Sequence, residues 1–271
     1  MKNAAGRLVL VCLFLLTAMA ALLRPCEQVF GSSPMPARSP VVVELFTSEG
    51  CSSCPPADAL LAKLAEQPPA ENVQVIALEE HVDYWNELGW TDPFSSRDWT
   101  LRQYAYAEAL GNGNPYTPQM IVDGRAEFVG SRVQQARQKI VEAAGYPTIP
   151  VSLDQGKADG KGAVNLAVTV GKLNGTTKGG AAEVWLAVTE TGLHSTVTRG
   201  ENAGHDLHHA AIVRSLLRIG EAKAGGDPSF SANATARLRE EWKRENLRAV
   251  VFVQGKKSRQ ILGAAEIRVA P

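Results

Sequence analysis

The amino-acid sequence predicts an α/β protein in which a first domain of mixed strands and helices precedes a β-sandwich-like second domain. With 271 residues, the chain exceeds the usual size of one domain. Patterns typical of buried strands and amphipathic helices alternate as far as Gly145, whereas short alternating strands fill the sequence from Val151 onward. Two prolines separate the two patterns. We therefore expect domains at residues 41–146 and 147–271.

Composition and charge give no sign of a polyanionic partner. Lys and Arg total 28, as do Asp and Glu, and hydrophobic residues make up 45% of the chain. A protein that binds nucleic acid or an anionic surface usually carries a basic excess. We therefore expect no nucleic-acid partner.

The N-terminal segment has the features of a secretory signal peptide. Basic residues precede an apolar run from Leu8 to Leu16, and a small-residue cleavage sequence ends at Ala20. An uncleaved anchor is the alternative, although an apolar run ending at Leu23 is short for a full span. We expect a signal peptide at 1–20 and a flexible leader at 21–40. The protein should then be periplasmic or secreted, with no stable membrane insertion after cleavage.

The first domain opens with a predicted βαβ unit. Val41–Phe46 is a nearly continuous apolar run, typical of a strand covered on both faces. A helix with one apolar stripe follows, and Val73–Leu78 forms the next strand. Such a unit is right-handed and its strands are parallel. The apolar residues of the helical stripe are Ala57, Leu60, Leu61, Leu64 and Ala65.

Two more helices and a hairpin complete this domain. A helix runs from Ser95 to about Leu110, and a last helix begins after Ser131 and is closed by Gly145. Between them, two short strands flank the Asp-Gly turn at 123–124.

The second domain is expected to consist of short strands with two inserted helices. The helices are predicted at about His208–Ile219 and Ala232–Glu245. The spacing of the strands suggests a β-sandwich. The predicted strands are Val151–Leu153, Ala163–Val170, Val184–Val188, Thr196–Thr198, Leu247–Gln254 and Ile261–Val269.

Cys51 and Cys54 lie at the predicted N-terminus of the first helix. Unsatisfied N–H groups and the partial positive charge at a helix N-terminus favour a thiolate at Cys51. Cys54 is placed one turn further on, where it can resolve a mixed disulfide by attacking Cys51. An exported protein meets an oxidising compartment, in which this pair can cycle or stay bonded. The spacing therefore predicts a redox pair, with a structural disulfide as the alternative.

The βαβ unit, the hairpin with its terminal helix, and the sequence Thr117-Pro118 just before the hairpin together resemble the thioredoxin fold. The resemblance implies that Pro118 is a cis-proline facing the redox pair, with the Thr117 backbone pairing with an extended substrate. It also points to Glu44, in the first strand, as a buried acid that carries protons. A solvent-facing carboxylate at the sheet edge is the alternative for Glu44, and His81 is a second candidate proton carrier.

Four longer motifs resemble those of the domain-of-unknown-function 1223 family, secreted bacterial proteins placed among the thioredoxin-like folds. The motifs are VELFTSEGCSSCPPAD, HVDYWNELGWTDPFSS, YTPQMIVDG and TRGENAGHDLHHAAIVRSL. The resemblance implies a thioredoxin-like domain at 41–146 and a bacterial envelope location, and it implies no substrate. Ser52 and Ser53 differ from the residues between the cysteines of ordinary thioredoxins, so the resemblance does not extend to a redox potential.

The segment between Cys54 and Pro118 is long enough to hold an inserted helical lid. It contains four large aromatic residues, which could form a substrate groove or simply cover the sheet. They are Trp85, Trp90, Phe94 and Trp99.

We therefore expect an exported thiol–disulfide oxidoreductase that acts on envelope protein thiols and is recharged by a redox partner, with no bound cofactor or metal. One alternative is a copper- or zinc-binding protein that uses histidines of the GHDLHH motif together with the cysteine pair. The histidines of that motif are His205, His208 and His209. Another is a non-catalytic binding module with a permanent Cys51–Cys54 disulfide.

Overall fold

The computed structural model describes residues 38–156, 162–173 and 181–269. The predicted signal peptide and nearly all of the predicted leader, with Cys26, lie outside these residues. Within the described ranges, no helix combines the length and the apolar character needed to cross a membrane.

The described residues form thirteen strands, three α-helices and two short 3₁₀ turns, at Asn86–Leu88 and Arg244–Asn246. The helices are α1 (Pro55–Glu66), α2 (Arg97–Leu110) and α3 (Val133–Ala144). The strands are β1 (Ser39–Thr47), β2 (Val73–His81), β3 (Gln119–Val122), β4 (Ala126–Val129), β5 (Val151–Gln155), β6 (Ala163–Val170), β7 (Ala181–Glu190), β8 (Leu193–Thr196), β9 (Asp206–His209), β10 (Ile212–Lys223), β11 (Phe230–Arg237), β12 (Leu247–Gly255) and β13 (Ile261–Arg268).

The fold is mixed α/β and is dominated by one large sheet. Its eight strands lie in the order β13-β12-β7-β10-β2-β1-β3-β4. β1 and β2 are parallel, as the βαβ pattern predicts, and β3 and β4 form the predicted hairpin. A three-stranded sheet, β11-β6-β5, and the β8–β9 pair complete the strands. Strands on both sides of the predicted boundary after residue 146 therefore share one sheet.

Side chains of β1 alternate between the two faces of this sheet, and the alternation decides what each face can hold. Val41, Val43 and Leu45 pack into the core formed with α1 and α3. Val42 and Phe46 pack into clusters on the opposite face, where α2 lies. The turn that leads to the cysteines continues directly from the end of this strand.

The three-stranded sheet packs on the C-terminal half of the large sheet. Leu166 and Val168 of β6 share a buried core with Leu186 of β7 and Val251 of β12. This face-to-face packing buries apolar residues of both sheets.

The helix expected at about His208–Ile219 is wrong, because this segment forms the end of β9 and most of β10. β10 pairs antiparallel with β7, with register shifts between Val213 and Ser215 and between Arg218 and Gly220. Such shifts interrupt the strict alternation of buried and exposed residues that marks a strand in the sequence.

The helix expected at Ala232–Glu245 is also wrong, since β11 covers Phe230–Arg237. Its alternate alanines, Ala234 and Ala236, are buried against the core. Alanine favours helices intrinsically, but antiparallel pairing with β6 along the full strand outweighs that preference.

Candidate functional site around the Cys51–Cys54 pair

Cys51 and Cys54 are joined by a disulfide, with their Cα atoms 5.4 Å apart. β1 ends at Thr47 and α1 begins at Pro55, so the pair lies at a helix N-terminus, as the sequence predicts. The Cys54 carbonyl accepts hydrogen bonds from the first helical N–H groups, those of Ala57 and Asp58. The pair therefore lies at the positive end of the helix dipole.

Both cysteines are fully buried, with 0% exposure. The covering loop, residues 197–205 between β8 and β9, lies over them. Asn202 Nδ2 donates to the carbonyl oxygens of Glu49 (2.8 Å) and Cys51 (3.0 Å). The Ser52 N–H donates to Glu201 Oε2 at 3.2 Å. The disulfide therefore lies under a loop contributed by the second half of the chain.

Thr117 and Pro118 lie close to the start of α1. The peptide bond between them is cis. Thr117 Oγ1 accepts a hydrogen bond of 2.8 Å from Trp85 Nε1, and Trp85 also packs beside Gly50. Pro118 and Ala57 of α1 both contact Gly130. Trp85 thus bridges the turn that carries Cys51 and the segment that carries Thr117.

The aromatic residues of the predicted lid are turned toward the protein. Trp90 Nε1 donates to Glu49 Oε2 at 2.8 Å, and Trp99 is buried in the core. Phe94 and Trp99 also line a cleft of about 430 Å³ beside β10. Between β2 and α2 the segment forms one 3₁₀ turn, Asn86–Leu88, and Trp99 belongs to α2.

Glu44 lies on the opposite face of β1 from Thr47 and α1. It is completely buried, accepts a 2.7 Å hydrogen bond from Arg102 Nε, and also accepts one from Tyr106 Oη. Arg102 and Tyr106 both belong to α2. Glu44 is therefore not a solvent-facing edge carboxylate, and the structure does not bring it together with the cysteines.

Asp58 is a buried acid on the cysteine side of the sheet, and the sequence analysis missed it. It lies four residues after Cys54, in the first turn of α1. Thr47 Oγ1 donates to Asp58 Oδ1 at 2.6 Å. Burial and the charge of Glu79 raise the pKa of Asp58 to about 7, although Thr47 and the nearby histidines oppose this. An acid next to the apolar stripe of α1, four residues after Cys54, was the signal available in the sequence.

A buried network of two histidines and three carboxylates adjoins the turn before Cys51. We call it the histidine–carboxylate cluster. Each of its residues is at most 4% exposed. The members are Glu49, Glu79, His81, Asp92 and His209.

Glu79 Oε1 lies between the two imidazole rings, 3.2 Å from His81 Nε2 and 2.7 Å from His209 Nδ1. The other ring nitrogens contact different carboxylates. His81 Nδ1 is 2.7 Å from Asp92 Oδ2, and His209 Nε2 is 3.1 Å from Glu49 Oε1. The centroids of the two imidazole rings are 4.7 Å apart.

The carboxylates control the protonation of these histidines. Burial lowers the pKa of each ring, but in both cases the neighbouring carboxylates outweigh it. The pKa of His81 is raised well above its usual value by Asp92 and Glu79, and that of His209 is raised to about 9 by Glu49 and Glu79. The same contacts outweigh burial at Glu79 and Asp92 and lower the pKa of each.

The metal set considered from the sequence is not assembled. Of the three histidines in that motif, only His209 enters the buried cluster. His208 is exposed and stacks on His194, while His205 contacts the carbonyl of Asn202. His81, which lies beyond the predicted strand Val73–Leu78, is the last residue of β2 and is buried.

Comparison with other proteins gives a family but no activity. The sequence matches the family described as protein of unknown function DUF1223 over residues 42–254. A crystal structure of a protein from Agrobacterium tumefaciens is similar, with a TM-score of 0.64 and 30% sequence identity over 86% of this chain and 96% of that chain. HBP35 of Porphyromonas gingivalis shares the fold, with a TM-score of 0.64 and 18% identity over 86% of this chain and 76% of that chain.

Among curated proteins, none matches this sequence. The family match covers most of the chain, including the cysteine turn, the covering loop and every residue of the histidine–carboxylate cluster. The chain belongs to the DUF1223 family.

Proposed function

We propose that the protein is an exported thiol–disulfide oxidoreductase of the bacterial envelope, with a thioredoxin-like first domain at about 41–146. The observation that carries the proposal is the Cys51–Cys54 disulfide at the N-terminus of α1, with the buried acid Asp58 one turn further on. A helix N-terminus stabilises a thiolate, and a buried acid with a pKa of about 7 can exchange a proton near neutral pH.

The exchange has two steps. A substrate thiolate attacks Cys51 Sγ, the Cys51–Cys54 bond breaks, and Cys54 leaves as a thiolate that takes a proton from Asp58. A second substrate thiolate then attacks the substrate sulfur of the mixed disulfide, and Cys51 leaves as a thiolate. The substrate loses two electrons and the cysteine pair gains them. A redox partner reverses the process and restores the disulfide.

The covering loop must open before Cys51 can be attacked, because neither cysteine is exposed. Asn202 holds the loop closed with its two hydrogen bonds to the cysteine turn. A typical hydrogen bond contributes about 0.5–1.5 kcal/mol, so this closure is weak enough to be reversed by a binding protein. We expect Thr117 and Pro118 to contact the substrate chain once the loop has moved.

The experiment that tests the proposal combines a redox titration with trapping. We expect the pair to equilibrate with glutathione at a potential of roughly −120 to −270 mV, the range of disulfide-exchange proteins. Cys54→Ser should capture envelope proteins as mixed disulfides at Cys51, whereas the Cys51→Ser/Cys54→Ser control should capture none.

A pair that stays oxidised below about −300 mV, together with an empty Cys54→Ser trap, would refute the proposal. The disulfide would then be a permanent link in a binding module.

A further inference from the structure

We propose that Glu79, His81 and His209 form a binding site for a divalent transition-metal ion. The donor atoms Glu79 Oε1, His81 Nε2 and His209 Nδ1 all lie within 4.8 Å of one another. Donors bound to one first-row ion at about 2.0–2.2 Å are typically roughly 3 Å apart. The buried Glu79 oxygen, shared by both rings, already has this spacing to each of them.

The outer ring nitrogens support this assignment. A metal-bound histidine almost always gives its second N–H to a carboxylate, a backbone carbonyl or a water, which fixes the tautomer and the ring orientation. His81 has Asp92 in that place, at 2.7 Å, and His209 has Glu49, at 3.1 Å. Both inner nitrogens therefore point to one shared oxygen while both outer nitrogens have separate partners.

The charge of the cluster also suits a dication. Glu49, Glu79 and Asp92 place three carboxylates around two imidazole rings in a fully buried space. In the metal-free cluster two protonated histidines leave one net negative charge, and a divalent ion that displaces one proton from each ring leaves the same net charge. Buried carboxylates of this number require compensation by cations, since unpaired buried charge is strongly unfavourable.

The site is held rigidly from several directions. Glu79 and His81 are separated by one residue on β2, so their side chains share a face. Glu79 Oε2 accepts a 2.9 Å hydrogen bond from the Ala210 N–H, next to His209. Phe94 packs edge-on against both imidazole rings. An ion would replace the two hydrogen bonds between the rings and Glu79 Oε1, while these surrounding contacts keep the three ligands next to one another.

Two nitrogens and one carboxylate oxygen favour Zn²⁺ or Fe²⁺ over Ca²⁺ or Mg²⁺, which prefer all-oxygen sites. The proposed ligands include no sulfur, so the ion would not bind the cysteine pair directly. Metal binding is therefore tested with the disulfide intact.

The experiment titrates metal-stripped, oxidised protein with Zn²⁺ and, for its absorption bands, Co²⁺. Each ion is added both to folded protein and during refolding, because the site is buried. We expect one ion per chain, and an anomalous peak among Glu79, His81 and His209 in crystals grown with Zn²⁺.

Matched variants separate this site from surface histidines. His209→Gln and Glu79→Gln should abolish binding, whereas the exposed neighbour His208→Gln, alone or with His194→Gln, should leave it unchanged. The anomalous peak in crystals of the unmodified protein tests the site even if His209→Gln or Glu79→Gln fails to fold. Absence of bound ion under both loading conditions, or a peak only at His194 and His208, would overturn the proposal.

Discussion

Arg102 illustrates how a single buried charge can hold two elements together. Its guanidinium lies on α2 and contacts two carboxylates of the sheet, Glu44 at 2.7 Å and Glu80 at 3.3 Å. Burial raises the pKa of Glu80 well above its usual value despite Arg102. Removing the arginine would leave the two acids without their shared cation.

We expect Arg102→Met to lower the free energy of unfolding by about 3–5 kcal/mol, the usual cost of breaking a buried ion pair from one side. Urea denaturation measures this. Arg97→Met is the control, since Arg97 is 65% exposed and 3.9 Å from Asp83. Its effect should stay within about 0.5 kcal/mol. Equal effects of the two substitutions would contradict the prediction.

Asp58 and Asp123 form a matched pair of buried acids for testing proton transfer. Burial raises the pKa of each to about 7. Asp58 lies one turn from Cys54, whereas Asp123 accepts a hydrogen bond from the Val42 N–H, near the opposite end of β1. Of these two acids, only Asp58 lies next to the turn that carries the cysteine pair.

We expect Asp58→Asn to slow reduction of the disulfide by a small thiol by roughly 100-fold, the lower end for general acid–base catalysis. In the unmodified protein the Asp58-dependent part of the rate should be present below pH 7 and fall above it, because Asp58 donates its proton. Stopped-flow reduction across pH 5–9 measures both effects. Asp123→Asn should leave the rate of reduction and its pH profile unchanged. If both substitutions slowed reduction equally, Asp58 would not be the proton donor.

Among the elements, the covering loop hydrogen-bonds to the turn carrying Cys51. Asn202 is buried and makes two hydrogen bonds to the cysteine turn, whereas Glu201 is exposed and makes one. The covering loop and the cysteine turn are about 150 residues apart in the sequence, so these hydrogen bonds connect distant parts of the chain.

We expect Asn202→Ala to raise the rate of disulfide reduction roughly 10-fold, because loss of two hydrogen bonds makes opening easier by about 1–3 kcal/mol. Glu201→Gln should change it little. Reduction kinetics and thermal unfolding are measured together. Equal rates for Asn202→Ala and the unmodified protein, at unchanged stability, would mean that the loop does not limit access.

The β3–β4 hairpin depends on a glycine whose backbone angle and surroundings both exclude a side chain. Gly124 has φ +62°, and a Cβ atom there would lie 1.9 Å from the carbonyl oxygen of Arg259. Gly111, at the end of α2, has a similar φ of +67° with nothing within 4 Å.

Gly124→Ala should therefore destabilise the protein more than Gly111→Ala. The control carries only the backbone strain of a left-handed residue, about 1 kcal/mol. The hairpin substitution adds a backbone collision and should cost several times as much. Denaturant unfolding of both variants gives the comparison, and equal losses would contradict it.

Across the entire described chain, the shared sheet connects the two predicted domains. The core cluster that contains Val42 and Leu78 also contains Val213, Val250 and Phe252 from the second half. β2 and β10 meet in parallel within the sheet. Residues from both predicted domains are therefore needed to bury this cluster.

We expect one cooperative unfolding transition, because separation of the halves would expose a common apolar core. Differential scanning calorimetry should give equal calorimetric and van't Hoff enthalpies. Two resolved transitions would show instead that residues 41–146 and 147–271 unfold as the independent domains that the sequence suggests.

Local patterns were sufficient for much of the first half. The apolar run of β1, the stripe of α1 and the Asp-Gly turn are formed by neighbouring residues, so periodicity identifies them. The same holds for the position of Cys51 and Cys54 at a helix start. In the second half, bulges in β10 and alanines in β11 produced helix-like patterns in segments that pair as strands.

The histidine–carboxylate cluster depends on contacts that no local pattern reveals. Glu49, His81 and His209 come from a turn, a strand end and a second strand, and Glu79 and His209 are 130 residues apart. The sequence alone specified the family motifs, the cysteine pair and the elements that carry it. Long-range pairing of β2 with β10 and packing of the covering loop decided what surrounds that pair, because burial and charge at a site depend on distant parts of the chain.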